Sequence, residues 1–291
     1  SDRSELIELH NRLSKTLDEE RGAAREKRYE KGYRTARENL DDLVDKDSFV
    51  EYGQLAIAAQ KSRRELEELR TETAADGIIT GFGKINSEIL NNKKALSAII
   101  INDYSVLAGT QGYYHHKKLD RICETAEKQN LPVVMYTEGG GGRPGDTDVH
   151  VQFAGLNIPS FSNWAKLKGK SLRIAVNNGY CFAGNAALFG TADFCISTKN
   201  SWLGMAGPAM IEGGGLGKVN PKDIGPAEEQ EKLGVIDYLA EDEADATRFA
   251  KKLLSYFQGD LSKWETKDQS ILRNLIPENR RMAYSVRDII E

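Results

Sequence analysis

Val133-Val134-Met135-Tyr136, running through Glu138 into Gly139-Gly140-Gly141-Gly142-Arg143, and Ile174-Ala175-Val176, running into Asn178-Gly179-Tyr180-Cys181-Phe182-Ala183-Gly184-Asn185, decide how this chain folds. Each is a short apolar run that ends in a glycine-rich turn. A short apolar run bounded by such a turn reads as a strand buried on both faces. Glycine lets the backbone approach a ligand closely and turn its peptide N–H groups outward. A helix opening at Gly184 adds donors that have no partner inside the helix, and the positive end of its dipole. Two such turns at the ends of neighbouring strands form a place where main-chain N–H groups alone hold a developing oxyanion.

Outward from these turns, strands alternate with helices. Ala95 to Asn102, with Ile99-Ile100-Ile101, reads as a fully buried strand. A helix from about His115 to Gln129, with Leu119, Ile122 and Ala126 on one stripe, leads through Pro132 into the first quoted run. Val149 to Lys166 leads to the strand Leu172 to Val176, and a short helix from Gly184 leads to Phe194-Cys195-Ile196-Ser197. A last helix, Glu243 to Phe257, carries Ala246, Phe249, Leu253, Leu254 and Phe257. This order predicts an α/β domain with mostly parallel pairing, whose ligands gather at the carboxyl ends of the strands.

Nearer the N-terminus, Phe49 to Tyr52 reads as a short strand, Lys61 to Arg70 as a helix or loop, and Gly77 to Ile85 as a strand with glycine bends. Leu6, Leu9, Leu13 and Leu17 form one helical stripe before a charge-dense stretch, and Thr35 with Glu38 makes a capping-box pattern. Residues 1–48 are expected to form a helical arm across a larger body or against a partner chain. Residues 49–275 would be that body, and 276–291, with Pro277 and many charges, a linker to an absent domain.

Charged residues make up 29% of the 291 and the net charge is −4, which argues against a polybasic nucleic-acid binder. No apolar run reaches the roughly 18 residues of a membrane span, and the first residues lack a signal-peptide core. Cys123, Cys181 and Cys195 are widely spaced, without a metal-binding or redox pair, and are expected in the core. These features point to a cytoplasmic or mitochondrial-matrix protein with no bound metal.

Several motifs fall away on inspection. Lys168-Gly169-Lys170-Ser171 lacks the earlier glycine of a phosphate loop, since Trp164 stands there, and it precedes a strand instead of opening a helix. Cys181 sits in no nucleophile-elbow spacing and has no histidine nearby. His115-His116 point to different helix faces and have no third ligand. Glu138, Asp146 and Asp148 around Arg143 form either an acid–base site or a polar loop held by an Arg–Asp contact. A third glycine cluster, Gly204 to Gly217, follows another strand and includes Ala206-Gly207-Pro208.

Together these residues resemble the N-terminal half of the carboxyltransferase β-type subunit of biotin-dependent acyl-CoA carboxylases, a crotonase-like fold. The resemblance runs through Thr35 to Leu40, Asp47 to Glu51, Gly77 to Ile85 and Asn102 to Thr110. It continues through the Glu138-to-Arg143 loop, Cys181 to Ala186, Ala206-Gly207-Pro208, Asp223-Ile224-Gly225, Gly234 to Asp237, and Ile276-Pro277 to Ile290. It departs from the family at Glu138, where the family has serine. It departs again at Ala183-Gly184-Asn185, where the family has a glycine pair, and in detail at Gly213-Gly214-Gly215.

The resemblance implies that biotin, carried on a partner domain or subunit, delivers CO2 to the enolate of an acyl-CoA thioester. Backbone N–H groups near Ala183, Gly184 and Asn185 would stabilise the enolate oxygen. Gly139, Gly140, Gly141, Gly142 and Arg143, with Gly207 and Pro208, would border the acyl or pantetheine chain. CoA's phosphates call for Lys or Arg, with Lys84, Lys93, Arg143 and the arm's arginines as candidates. The implied partners are a biotin carboxyl carrier domain, a biotin carboxylase component and a C-terminal carboxyltransferase half, in a trimer or hexamer of full-length subunits. Three alternatives stay open: an acyl-CoA decarboxylase subunit, a CoA-binding half inactive alone, and a crotonase-type hydratase or isomerase. The last needs a carboxylate base, yet Pro208 is followed by Ala209, and Glu212 is out of register.

Overall fold

The computed structural model describes residues 3–90, 93–149, 158–260 and 265–290. Its nine strands among those residues are β1 (Val50–Glu51), β2 (Ile78–Lys84), β3 (Leu96–Asn102), β4 (Val133–Tyr136), β5 (Arg173–Asn177), β6 (Tyr180–Phe182), β7 (Phe194–Thr198), β8 (Trp202–Gly204) and β9 (Tyr238–Ala240). Seven form one sheet in the order β1-β2-β3-β4-β5-β7-β9. The pairings of β2 with β1 and β3 are antiparallel, and the rest are parallel. The expected mixed α/β class with parallel-rich pairing is present.

The strands look continuously apolar because both faces of the sheet are covered. Successive side chains alternate between faces. Ile99, Ile101, Val134, Tyr136, Ile174, Val176 and Ile196 turn to one side, against Leu40 and Leu43 of helix Ala36–Leu43 and Ala246, Ala250 and Leu254 of helix Glu243–Ser255. Ala98, Ile100, Val133 and Met135 turn to the other, against Leu119, Ile122 and Ala126 of helix Tyr113–Gln129 and against Trp164. Each large side chain buried this way contributes about 1.5–3 kcal/mol, so the two layers fix the strand register and hence the loops at the strand ends.

A second sheet, β6 with β8, has no counterpart in the sequence reading. It pairs Tyr180 with Trp202 and Phe182 with Gly204, in parallel. Beneath it lie Ala175, Cys181, Ala186, Phe189, Cys195 and Leu203. All three cysteines are buried and free.

The capping box at Thr35 is formed in both directions. The helix it starts is part of the core, whereas helix Ser4–Ser14 buries none of its residues and leaves Leu6 and Leu9 exposed. Ion pairs tie the arm to the body: Arg21 to Asp103 at 2.6 Å, Arg37 to Glu51 at 2.6 Å and Lys15 to Glu67 at 3.1 Å. The polar run after Lys61 becomes helix Leu66–Glu72. Much of the Val149-to-Lys166 segment lies outside the described residues, which resume before helix Ser160–Lys166. Among the described residues no helix is long and apolar enough to cross a membrane.

Candidate active site

β4 and β5 end side by side, so the two glycine turns leave the sheet as neighbours. The first turn is bound at three of its four amides. Gly139 donates to Tyr180 O at 2.7 Å and accepts from Phe182 N at 2.9 Å. Gly140 donates to Ala108 O at 3.0 Å, and Gly141 donates to the Asn185 side-chain oxygen at 3.0 Å. Gln111 completes the hold, donating its N–H to Gly141 O at 2.7 Å and accepting from Arg143 N at 2.9 Å. Only the Gly142 N–H of this turn has no acceptor among the described residues, and no atom stands within 4 Å of where a Gly142 Cβ would be.

The second turn is the reverse. Ala183 donates to Gly204 O at 3.0 Å, and its carbonyl accepts from Ala187 N at 2.9 Å, starting helix Gly184–Gly190. Among the described residues, the N–H groups of Gly184, Asn185 and Ala186 have no acceptor. Ala183 has φ 51° and ψ −118°, a conformation that favours glycine. The strand-to-helix corner imposes it, because β6 must pair with β8 up to Phe182 and the helix must begin two residues later. A Cβ on Gly184 would run into Gln111 Oε1 and come within 3.1 Å of Phe161 Cζ. Any side chain at that position would force the Gln111 carboxamide to move.

The side chains predicted to serve the site are placed differently from expectation. Asn185 is fully buried; it holds Gly141 with its oxygen, and its Nδ2 has no partner among the described residues. It joins the turns instead of entering the cleft. Arg143 is turned inward: its guanidinium pairs with Asp76 and donates to Thr110 O at 2.8 Å, leaving the side chain 3% exposed. It therefore anchors the loop and offers nothing to a phosphate. Four of the arm's arginines are also paired with carboxylates: Arg21 and Arg37 as above, Arg28 with Glu138 and Arg34 with Asp42. Gly207 and Pro208 sit behind the second turn, a Gly207 Cβ position lying 3.3 Å from the Phe182 ring.

Of the three carboxylates considered around Arg143, Asp146 alone stays beside it, 3.6 Å from its guanidinium, as in the alternative of a polar loop held by an Arg–Asp contact. Asp146 accepts from Tyr113 N at 2.7 Å and Gln60 at 3.0 Å, and Asp148 accepts from the N–H groups of Lys61 and Ser62. Glu138 points the other way, into a buried bidentate pair with Arg28 at 2.9 and 2.8 Å. Burial, with Glu243 and Asp103 nearby, raises its carboxyl to about 7 against the pull of Arg28. His115 and His116 are buried, and among the described residues no cluster of His, Cys, Asp or Glu is placed to hold a metal. Burial lowers His116 to about 4, so it is neutral at physiological pH. The strand ends therefore gather amides with no acceptor among the described residues, with Arg143 and Glu138 turned into internal pairs.

Residues 27–291 match the carboxyl transferase domain family. The methylmalonyl-CoA carboxyltransferase 12S subunit of Propionibacterium freudenreichii subsp. shermanii is 29% identical over 91% of this chain and 50% of its own length. The methylmalonyl-CoA decarboxylase subunit alpha of Veillonella parvula is 28% identical over 98% of this chain and 56% of its own. A solved single-chain, multi-domain long-chain acyl-CoA carboxylase superposes with a TM-score of 0.93 at 49% identity, covering all of this chain and 29% of that one. The chain thus spans about half the length of the curated relatives it matches. The fold is crotonase-like, as in the carboxyltransferase domains it superposes on. On the match over residues 27–291, this chain belongs to the carboxyl transferase domain family.

Proposed function

We propose that the chain is the acyl-CoA-binding half of a biotin-dependent carboxyltransferase and that the second glycine turn stabilises the thioester enolate. The observation carrying this reading is the row of amides at Gly184, Asn185 and Ala186 with no acceptor among the described residues, beside the first turn at Gly141. A thioester carbonyl seated there gains hydrogen bonds that strengthen as its α-carbon loses a proton and negative charge builds on oxygen. One such donor is worth about 3–4 kcal/mol of transition-state stabilisation. Biotin on a carrier domain would supply CO2 and take the α-proton, so the chain needs no basic side chain of its own. In this reading Gly184 and Asn185 act through their amides, and Ala183 only shapes the corner. Gly139 to Gly142 form the opposite wall, held by Arg143, with Gly207 and Pro208 supporting from behind. Three buried thiols suit a reducing compartment such as the cytoplasm or mitochondrial matrix.

The chain covers about half of its relatives' length, which favours a second statement: in isolation it binds acyl-CoA, and turnover needs a C-terminal half and the biotin components. The test is to titrate the chain with acetyl-CoA and palmitoyl-CoA by calorimetry, then assay carboxyl transfer from carboxybiotin with and without the C-terminal half. Binding alone, with transfer appearing only on complementation, is the expected result. Absence of binding to both thioesters contradicts the proposal.

A further inference from the structure

Gln111 stands out among residues not yet given a role in the chemistry. It lies between Thr110 and Gly112, just before helix Tyr113–Gln129, and is only 3% exposed. Its main chain forms a parallel bridge with Gly142, which fixes the first turn. Its side chain crosses to the second turn, where Oε1 occupies the space a Gly184 Cβ would need. Its Nε2 is buried and has no partner among the described residues. A buried NH2 without an acceptor is destabilising. Glutamine is therefore an expensive choice unless something else uses the amide.

The terminal torsion of glutamine is broad and roughly two-fold. Turning the carboxamide over moves no backbone atom. It exchanges a buried NH2 for a buried oxygen, the less costly of the two to leave under-satisfied, and presents N–H donors beside the unpaired Gly184 amide. We propose that Gln111 is a catalytic residue of this site: its carboxamide NH2 donates to the thioester oxygen, joining a side-chain donor to the main-chain ones. The inference rests on the acyl-CoA carboxyltransferase reading above. It adds that one bond to the substrate oxygen comes from a side chain, and so is open to substitution without disturbing the backbone.

The test compares palmitoyl-CoA with S-hexadecyl-CoA, and acetyl-CoA with S-ethyl-CoA, each thioether keeping the chain and CoA but lacking the carbonyl. Wild type should bind each thioester more tightly than its thioether. Gln111→Leu should lose about tenfold of thioester affinity, the equivalent of about 1.4 kcal/mol, while its thioether affinity stays put. Gln111→Glu, nearly the same shape but acceptor-only, should lose the thioester preference as well; its melting temperature and that of Gln111→Leu show that both are folded. Equal thioester preference in wild type and Gln111→Leu overturns the role of Gln111 and leaves the acyl-CoA reading standing. Failure of wild type to bind any of the four compounds overturns the acyl-CoA reading and this inference with it.

Discussion

In the turn at 139–142, three of four amide N–H groups have internal acceptors; in the stretch 183–186, one of four does, counted among the described residues. Both look alike in sequence, glycine-rich and placed after a buried strand. The difference is in what surrounds them. The polar groups of the first turn are met by Tyr180, Phe182, Ala108, Gln111 and the Asn185 side chain, and Arg143 at its end is pinned by Asp76. The second turns a sharp corner at Ala183 and enters a helix, whose first amides have no carbonyl to meet. One turn is a rigid wall and the other a donor surface, so composition alone does not say which of two glycine loops does chemistry.

The largest effect should come from breaking the wall. Arg143→Met leaves Asp76 buried without its cation, and loss of one partner of such a pair costs about 3–5 kcal/mol. Thermal or urea unfolding should show that loss, with acyl-CoA binding lost in parallel; a stability change below about 1 kcal/mol would mean that the pair does not hold the turn. Next comes the donor surface. Gly184→Ala drives a methyl into Gln111 Oε1 and against Phe161. Carboxyl transfer in the complemented enzyme should fall by about 10²–10³, the cost of losing an oxyanion donor, while overpacking costs about 1–3 kcal/mol of stability. Unchanged transfer would show that the thioester sits elsewhere. The smallest is Ala183→Gly, which relieves a positive-φ alanine at the corner. It should raise stability by about 1 kcal/mol, the low end of such strain, and leave acyl-CoA affinity within twofold; a drop in stability would locate the strain elsewhere.

Much of the fold was readable because its signals are local. The runs at β3, β4 and β5, the helix after Gly112, the capping box at Thr35 and the helix break at Gly184 each depend on residues within a few positions of one another. The second sheet was not readable: Tyr180–Phe182 is three residues long, lies inside a glycine turn, and earns its strand geometry only from Trp202–Gly204. Nor was the placement of helix Ala36–Leu43, which by sequence belongs with the arm and by packing belongs with β3 and β4. The site divides the same way. The second turn was visible as a donor candidate, while the fate of its neighbours depends on distant partners. Arg143 looked available to a phosphate until Asp76, 67 residues away, took its guanidinium. The place of Asn185 is likewise set at long range, by Gly141, 44 residues away, which donates to its side-chain oxygen. Gln111 carried no signal at all, since its place is set by contact with Gly184.

The most direct test is a crystal structure of the chain with an acyl-CoA bound. The account predicts the thioester oxygen about 3 Å from the amide nitrogens of Gly184 or Asn185, within hydrogen-bonding distance. A thioester oxygen bound elsewhere, with those amides facing only solvent, would contradict it.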